Sequence, residues 1–212
     1  EGPVWVAGSV RPGEEAILLD AYAGLRDRHP GLRLALALRH PAQWPGLDER
    51  LEARGWAEAR RSVPREADSR ADVLVVDTLG ELPAMYAAAR VAFVGGSLVP
   101  LGGHNVLEAA LAGSPIVVGP HVGTVSEEVE ALEQAGALHR VSSVAELTAA
   151  LNPWLAGEAA HAAARSAARD TATGLRGATV RTHDWLEARG MWGARPPNRV
   201  RAVRRHGSWR PR

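Results

Sequence analysis

Cysteine is absent from this 212-residue chain, so neither a disulfide framework nor a thiolate metal site is available to it. Lysine is absent too, which makes all 25 basic residues arginine. A G+C-rich coding sequence explains that bias more simply than selection for arginine chemistry. No apolar run approaches the roughly 20 residues that span a bilayer, and the chain reads as soluble. His40, His121 and His139 are scattered without metal-ligand spacing, so no metal is expected, and no cofactor either. There is no Walker loop, no GxGxxG fingerprint and no repeat of fixed period. The chain opens at Glu1 with neither methionine nor a charged-then-apolar leader, so it reads as a piece cut from a longer protein.

What is present is unevenly distributed. The formal net charge is +1, yet residues 188–212 hold eight arginines and no acid, which leaves 17 basic against 24 acidic residues in the first 187. The expected organisation is an α/β domain over 1–190 followed by a basic tail over 191–212. With Pro196-Pro197 and little apolar periodicity, the tail is expected to be disordered. Its arginines, with Trp192 and Trp209, would suit nucleic acid or an anionic membrane surface. Codon bias in a disordered tail is the plainer reading, and nucleic acid is not an expected partner.

Short apolar segments alternate with helical periodicity along the body. Val4 to Ala7, Leu32 to Leu38, Ala57 to Arg61, Val73 to Val76, Val91 to Val94, Pro115 to Val118 and Ala137 to Val141 read as strands, with Gly8 to Gly13 as a loop. The intervening helices are expected at Glu14 to His29, Leu47 to Arg54, Ala84 to Ala89, Asn105 to Leu111 and Val125 to Ala135. Further helix follows Ser143 and runs with breaks to Arg189. Ser126 and Ser143 are candidate caps, and Pro64 to Arg70 reads as a surface loop. Such alternation predicts a Rossmann-like parallel sheet with helices on both faces.

The densest stretch is Val91 to Pro120, in which a strand meets the glycine pairs Gly95-Gly96 and Gly102-Gly103, then a helix and a second strand. Ligands of open α/β sheets sit at the carboxyl ends of strands, and glycines there admit close backbone approach. Ser9 to Gly13, Arg39 to Pro41, Asp77 to Glu81 and Gly95 to Asn105 would share that edge. Arg39 offers a fork for phosphate, Asn105 an amide, and Glu108 a carboxylate for a ribose diol. Each has a plainer alternative: Arg39 as a surface ion pair, Asn105 as a cap, His104 as a loop-shaping residue rather than a general base. Glu14 and Glu15 read most simply as solvated first-turn acids, although Glu14 lies near the ligand edge. Glu108 sits among apolar neighbours, where a buried carboxylate without a partner is costly.

Taken together, Gly95-Gly96-Ser97-Leu98-Val99, Gly102-Gly103-His104-Asn105 and Leu107-Glu108 resemble the signature of the 3-deoxy-D-manno-octulosonic acid (Kdo) transferases. Gly13-Glu14-Glu15, Arg39-His40-Pro41, Asp77 to Leu82 and Gly119-Pro120-His121 resemble further landmarks of that family, in the same order over about residues 3–150. The resemblance implies the C-terminal, donor-binding half of a GT-B glycosyltransferase, which moves Kdo from CMP-Kdo onto a lipid A precursor. It implies a donor-binding set of Ser9, Arg39, His40, Gly80, Glu81, Leu82, Gly95, Gly96, Ser97, Gly102, Gly103, His104, Asn105 and Glu108. Within that set Arg39 and Gly102 to Asn105 would hold phosphate, Glu108 the ribose, and Gly80 to Leu82 would flank the base. No catalytic residue is expected here, because the family's catalytic carboxylate and its acceptor surface belong to an N-terminal domain. The expected partners are CMP-Kdo or CMP, that N-terminal domain, and a lipid acceptor met only through the full-length protein. The expected location is cytoplasmic, at the cytoplasmic face of the inner membrane.

Two departures stand out, Ser9-Val10 where the family often has Ser-Thr, and Ala109 where a proline usually follows Leu-Glu. Alternative functions are a UDP-sugar-dependent GT-B glycosyltransferase or epimerase domain, and a non-catalytic nucleotide-binding module.

Overall fold

The computed structural model describes residues 2–40, 44–63, 71–175 and 178–191. The expected Pro64 to Arg70 loop, Pro41 and the basic tail lie outside the described residues. By contacts the chain divides into two compact units, split after Leu175.

In the first unit seven strands form one parallel sheet: β1 (Val4–Val10), β2 (Arg33–Leu38), β3 (Glu58–Arg60), β4 (Val73–Val76), β5 (Val91–Val94), β6 (Ile116–Val118) and β7 (Leu138–Arg140). Their order across the sheet is β3-β4-β2-β1-β5-β6-β7, with β1 and β5 side by side at its centre. Among the described residues of this unit, α1 (Glu15–Arg28), α2 (Leu47–Glu52), α3 (Leu82–Ala88), α4 (Leu107–Ala112) and α5 (Ser126–Gln134) lie between strands, and α6 (Val144–Ala156) and α7 (Glu158–Gly174) follow β7. The second unit contains α8 (Ala178–Glu187). Among the described residues no helix is long and apolar enough to cross a membrane.

The central strands are apolar on both faces because each face is covered. Trp5, Ala7, Leu34, Leu36, Val91 and Phe93 point into one core with Leu18, Tyr22 and Leu25 of α1 and Leu147 and Leu151 of α6. Val6, Ala35, Ala37, Ala92 and Val94 point the other way, against Tyr86 of α3, Val129 and Leu132 of α5 and Ala168 of α7. Small residues predominate on the second face of β1, β2 and β5, so the helices can lie close to the sheet there. Burial of each large aliphatic or aromatic side chain contributes about 1.5–3 kcal/mol.

Two local expectations are corrected and a third is met. Gly8 to Val10 is not loop but the end of β1, whose register against β2 shifts between Ala7 and Val10. Within that irregularity Ser9 takes φ 56°, the left-handed region that a non-glycine residue enters only at a cost of about 1–3 kcal/mol. Ser126 is the first residue of α5 and makes no cap bond, since Val125 holds the cap position. Ser143 does cap α6, accepting from the Glu146 N–H at 3.2 Å.

His161, near the start of α7, is buried, and its Nε2 finds no partner among the described residues. Burial first, then the charges of Arg90 and Arg165, holds its pKa below the ordinary 6.5, against the opposing pull of Glu158. The folded chain therefore resists a proton that the unfolded chain accepts near pH 6.5. Stability should fall as pH drops from about 7.5 through about 6.5 towards the lower folded value. Thermal melts of the protein and of His161→Gln over that range check this: the variant should show the flatter profile, and matching slopes would exclude His161 as the source.

Candidate functional site

The turn between β1 and α1 carries Glu14, whose side chain points inward and is 0% exposed. Its Oε2 accepts the N–H groups of Arg11 at 2.9 Å and Gly96 at 2.8 Å, while Oε1 accepts those of Ser97 at 2.9 Å and Leu98 at 2.8 Å. Four backbone donors thus converge on one carboxylate, the kind of partnering that makes a buried charge tolerable. The arrangement corrects the reading of Glu14 as a solvated acid. Gly95 is a condition of it, because a Cβ there would lie 2.4 Å from the Ser9 carbonyl oxygen and 2.8 Å from Glu14 Oε2. Glu15 is also buried, bonded to the Gly13 N–H at 2.7 Å and paired with Arg50 at 2.5 Å.

The clamp fixes a double loop. Gly103 N–H donates to the Gly96 carbonyl at 2.8 Å and His104 N–H to that of Gly95 at 3.1 Å, so the two glycine pairs are tied to each other. The Thr124 hydroxyl bonds the Gly102 and Gly103 carbonyls at 2.7 and 2.9 Å. The Ser97 hydroxyl, fully buried, donates to the Val94 carbonyl at 2.6 Å and accepts from Gly119 N–H at 2.8 Å. Ser97 and the four loop glycines therefore shape the site through the backbone.

Against this scaffold opens a cavity of about 410 Å³, within the range of small-ligand sites. Of the sequence-predicted residues it gathers Ser9, Arg39, Gly80, Leu82, His104, Asn105 and Glu108, from all four loops expected at the sheet edge. It does not gather His40, Glu81, Gly95, Gly96, Ser97, Gly102 or Gly103 into its lining. Glu81 turns outward to Arg61 at 2.8 Å and to the Thr78 hydroxyl, and those bonds hold its carboxyl below the usual range. Glu108 is exposed into the cavity rather than buried, which corrects the sequence argument from its apolar neighbours. It makes no hydrogen bond or ion pair with the described residues. Asn105 accepts the Leu107 N–H at 3.0 Å through Oδ1 in a turn just ahead of α4, whose cap position is held by Val106, and this leaves its side-chain N–H groups available. Arg39 is exposed and, among the described residues, pairs with no carboxylate.

The remaining wall falls partly in the Asp77 to Glu81 loop expected at the edge and partly on residues the sequence reading did not single out. Thr78, Leu79, Pro83 and Tyr86 line it. Tyr86 is 1% exposed and packs against Gly8, where a Cβ would lie 2.0 Å from the phenol oxygen. Burial, then the Glu108 charge, pushes the Tyr86 phenol above its ordinary pKa, so it stays protonated. Gly8, read from the sequence as loop, is the residue whose lack of a side chain admits the Tyr86 phenol. Burial first, then the charges of Arg11, Arg39 and His40, holds His104 below its ordinary value, so its ring is neutral at pH 7. In that state His104 Nε2 accepts the Arg11 Nε–H at 3.1 Å. The site thus offers a cation, a carboxylate, an amide and two neutral polar rings.

Glu14→Gln keeps the shape but sets an NH₂ against two backbone donors. It should destabilise the domain by about 3–5 kcal/mol, measured by urea unfolding, and weaken ligand binding at the cavity. A loss below about 1 kcal/mol would show the clamp to be unimportant.

No family model matches the chain. A 3-deoxy-D-manno-octulosonic acid transferase of Bordetella pertussis is 40% identical over 189 residues, 87% of this chain and 44% of that protein. A probable mitochondrial 3-deoxy-D-manno-octulosonic acid transferase of Arabidopsis thaliana is 38% identical over 156 residues, 72% of this chain and 35% of that protein. The chain therefore spans less than half the length of these relatives. The crystal structure of the C-terminal CMP-Kdo binding domain of WaaA from Acinetobacter baumannii superposes with a TM-score of 0.73 at 27% identity, over 80% of this chain and 89% of that one. Anabaena HepE in complex with UDP-glucose shares the fold, with a TM-score of 0.61 at 19% identity over 91% of this chain and 50% of its own. By sequence and by fold together, the chain belongs to the 3-deoxy-D-manno-octulosonic acid transferase family and corresponds to the C-terminal domain of its members.

Proposed function

We propose that the cavity holds the CMP portion of CMP-Kdo, and that the domain serves as the donor-binding half of a GT-B glycosyltransferase. The observation that carries this reading is the convergence of Arg39, Asn105 and Glu108 with the Gly80 loop on one cavity at the carboxyl edge of the sheet. In this reading the Arg39 guanidinium grips the phosphate through its planar fork, with Asn105 N–H groups beside it. The Glu108 carboxylate accepts hydrogen bonds from the ribose hydroxyls, and the segment Gly80 to Leu82 flanks the cytosine. Being neutral, His104 and Tyr86 add hydrogen-bonding capacity without further charge. The full activity is transfer of Kdo to a lipid A precursor at the cytoplasmic face of the inner membrane. It requires a facing domain that carries the catalytic carboxylate and meets the lipid, so this domain alone binds donor without turning it over.

Calorimetric titration of the chain with CMP, UMP and UDP tests the assignment. CMP should bind with a clear preference, and equal affinities would overturn the donor assignment. Glu108→Gln should weaken CMP binding by about 1–3 kcal/mol, the cost of losing hydrogen bonds to a charged acceptor. Unchanged affinity would remove Glu108 from the ribose contact.

A further inference from the structure

Arg11 lies in the Ser9 to Gly13 loop at the sheet edge, but its side chain has no assigned ligand role so far. It follows the irregular end of β1, its backbone N–H is held by Glu14 Oε2 at 2.9 Å, and its Nε donates to His104 Nε2 at 3.1 Å. The side chain is half-buried, and no carboxylate among the described residues lies within ion-pair distance of it. Most arginines on this domain that are fixed in place are fixed by acids, as Arg26 is by Asp72 at 2.6 Å and Arg90 by Glu158 at 2.7 Å. Arg11 is fixed instead by a neutral imidazole, which orients the guanidinium while leaving its charge and its η N–H groups uncommitted. It does not line the nucleotide cavity, but it is bonded to a residue that does. Two cations therefore lie near the His104 ring, Arg39 on the cavity wall and Arg11 behind the imidazole.

We propose that Arg11, held by His104, is a second anion subsite next to the nucleotide cavity, and that it takes the carboxylate of the sugar acid on the donor. This rests on the CMP-Kdo reading and extends it. In a CMP-activated 2-ulosonic acid the carboxylate and the phosphoester oxygen are attached to the same carbon, so the two anions lie only a few bonds apart. A site for such a donor needs two cations side by side, and Arg39 and Arg11 meet that need. Donors built on neutral sugars have no sugar carboxylate to place there, and where they carry a second anion it is a second phosphate of the nucleotide. The half-buried position strengthens the contact, because a charge-assisted pair is screened less there than in open water. Arg11 thus makes the donor's sugar class, rather than its nucleotide, the property being read.

Calorimetry on the whole 212-residue chain with CMP and with freshly prepared CMP-Kdo tests this. The protein should bind CMP-Kdo about tenfold more tightly than CMP, and in Arg11→Gln that ratio should collapse towards one. Arg11→Lys keeps the charge without the fork and should show an intermediate ratio, which also guards against a misfolded Gln variant. A wild-type ratio near one, or an Arg11→Gln variant that weakens both ligands equally, would overturn the subsite while leaving CMP binding intact. Failure of the wild-type chain to bind CMP would overturn the nucleotide reading itself, and the subsite with it.

Discussion

One carboxylate holds the functional edge of this domain together. Glu14 receives four backbone N–H groups, one from its own turn and three from the loop after β5. Those amides stand at the ends of the two central strands, where the sheet ladder has stopped and no further strand partner exists. Left unpaired, each buried donor would carry a desolvation penalty of about 1–3 kcal/mol. Glu14 meets all of them with a charge, and in doing so sets how far the glycine loop stands from the end of β1. The short α4, the Gly102-Gly103 turn and the ring of His104 take their positions from that distance.

Around this fixed point the electrostatics divide into layers. The buried acids, Glu14 and Glu15, are consumed by backbone N–H groups and by Arg50. The acid that faces the cavity, Glu108, is uncommitted, as are the cations Arg39 and Arg11. Between them stand His104 and Tyr86, both held neutral by burial and by the charges near them. The buried structural charges are thus satisfied internally, while Arg39 and Glu108 face the open cavity and Arg11 stands behind His104.

The fold was legible because it is written locally. Val73 to Val76 and Val91 to Val94 read as strands covered on both faces, and the order of strands and helices follows from their alternation along the chain. The site was legible where chemistry sits in short motifs, as with Arg39, Asn105 and Glu108. It was obscure where the deciding partner is remote. Glu14 has the position of an ordinary first-turn acid, and its burial follows from amides more than 80 residues away. Glu108 has apolar neighbours on both sides, yet in a six-residue helix the side facing a cavity is neither core nor bulk solvent. Ser9 reads as loop because Gly8, Pro12 and Gly13 punctuate that stretch, and only the pairing of β1 with β2 and β5 shows it to be strand with an irregular end. Residues 41–43, 64–70, 176–177 and 192–212 stand apart from this comparison.

The Glu14 clamp also bears on how the domain is assembled. It joins positions 82, 83 and 84 residues apart, so it closes only after β1 and β5 have paired across most of the unit. Contacts of such sequence separation carry the loop-closure entropy of everything between them and dominate the folding time of parallel sheets. The cavity at the sheet edge therefore has no precursor in a partly folded chain: it exists when the central sheet is complete and disappears with it. A molecule that occupies the cavity stabilises the whole first unit, and local fraying elsewhere leaves its affinity untouched.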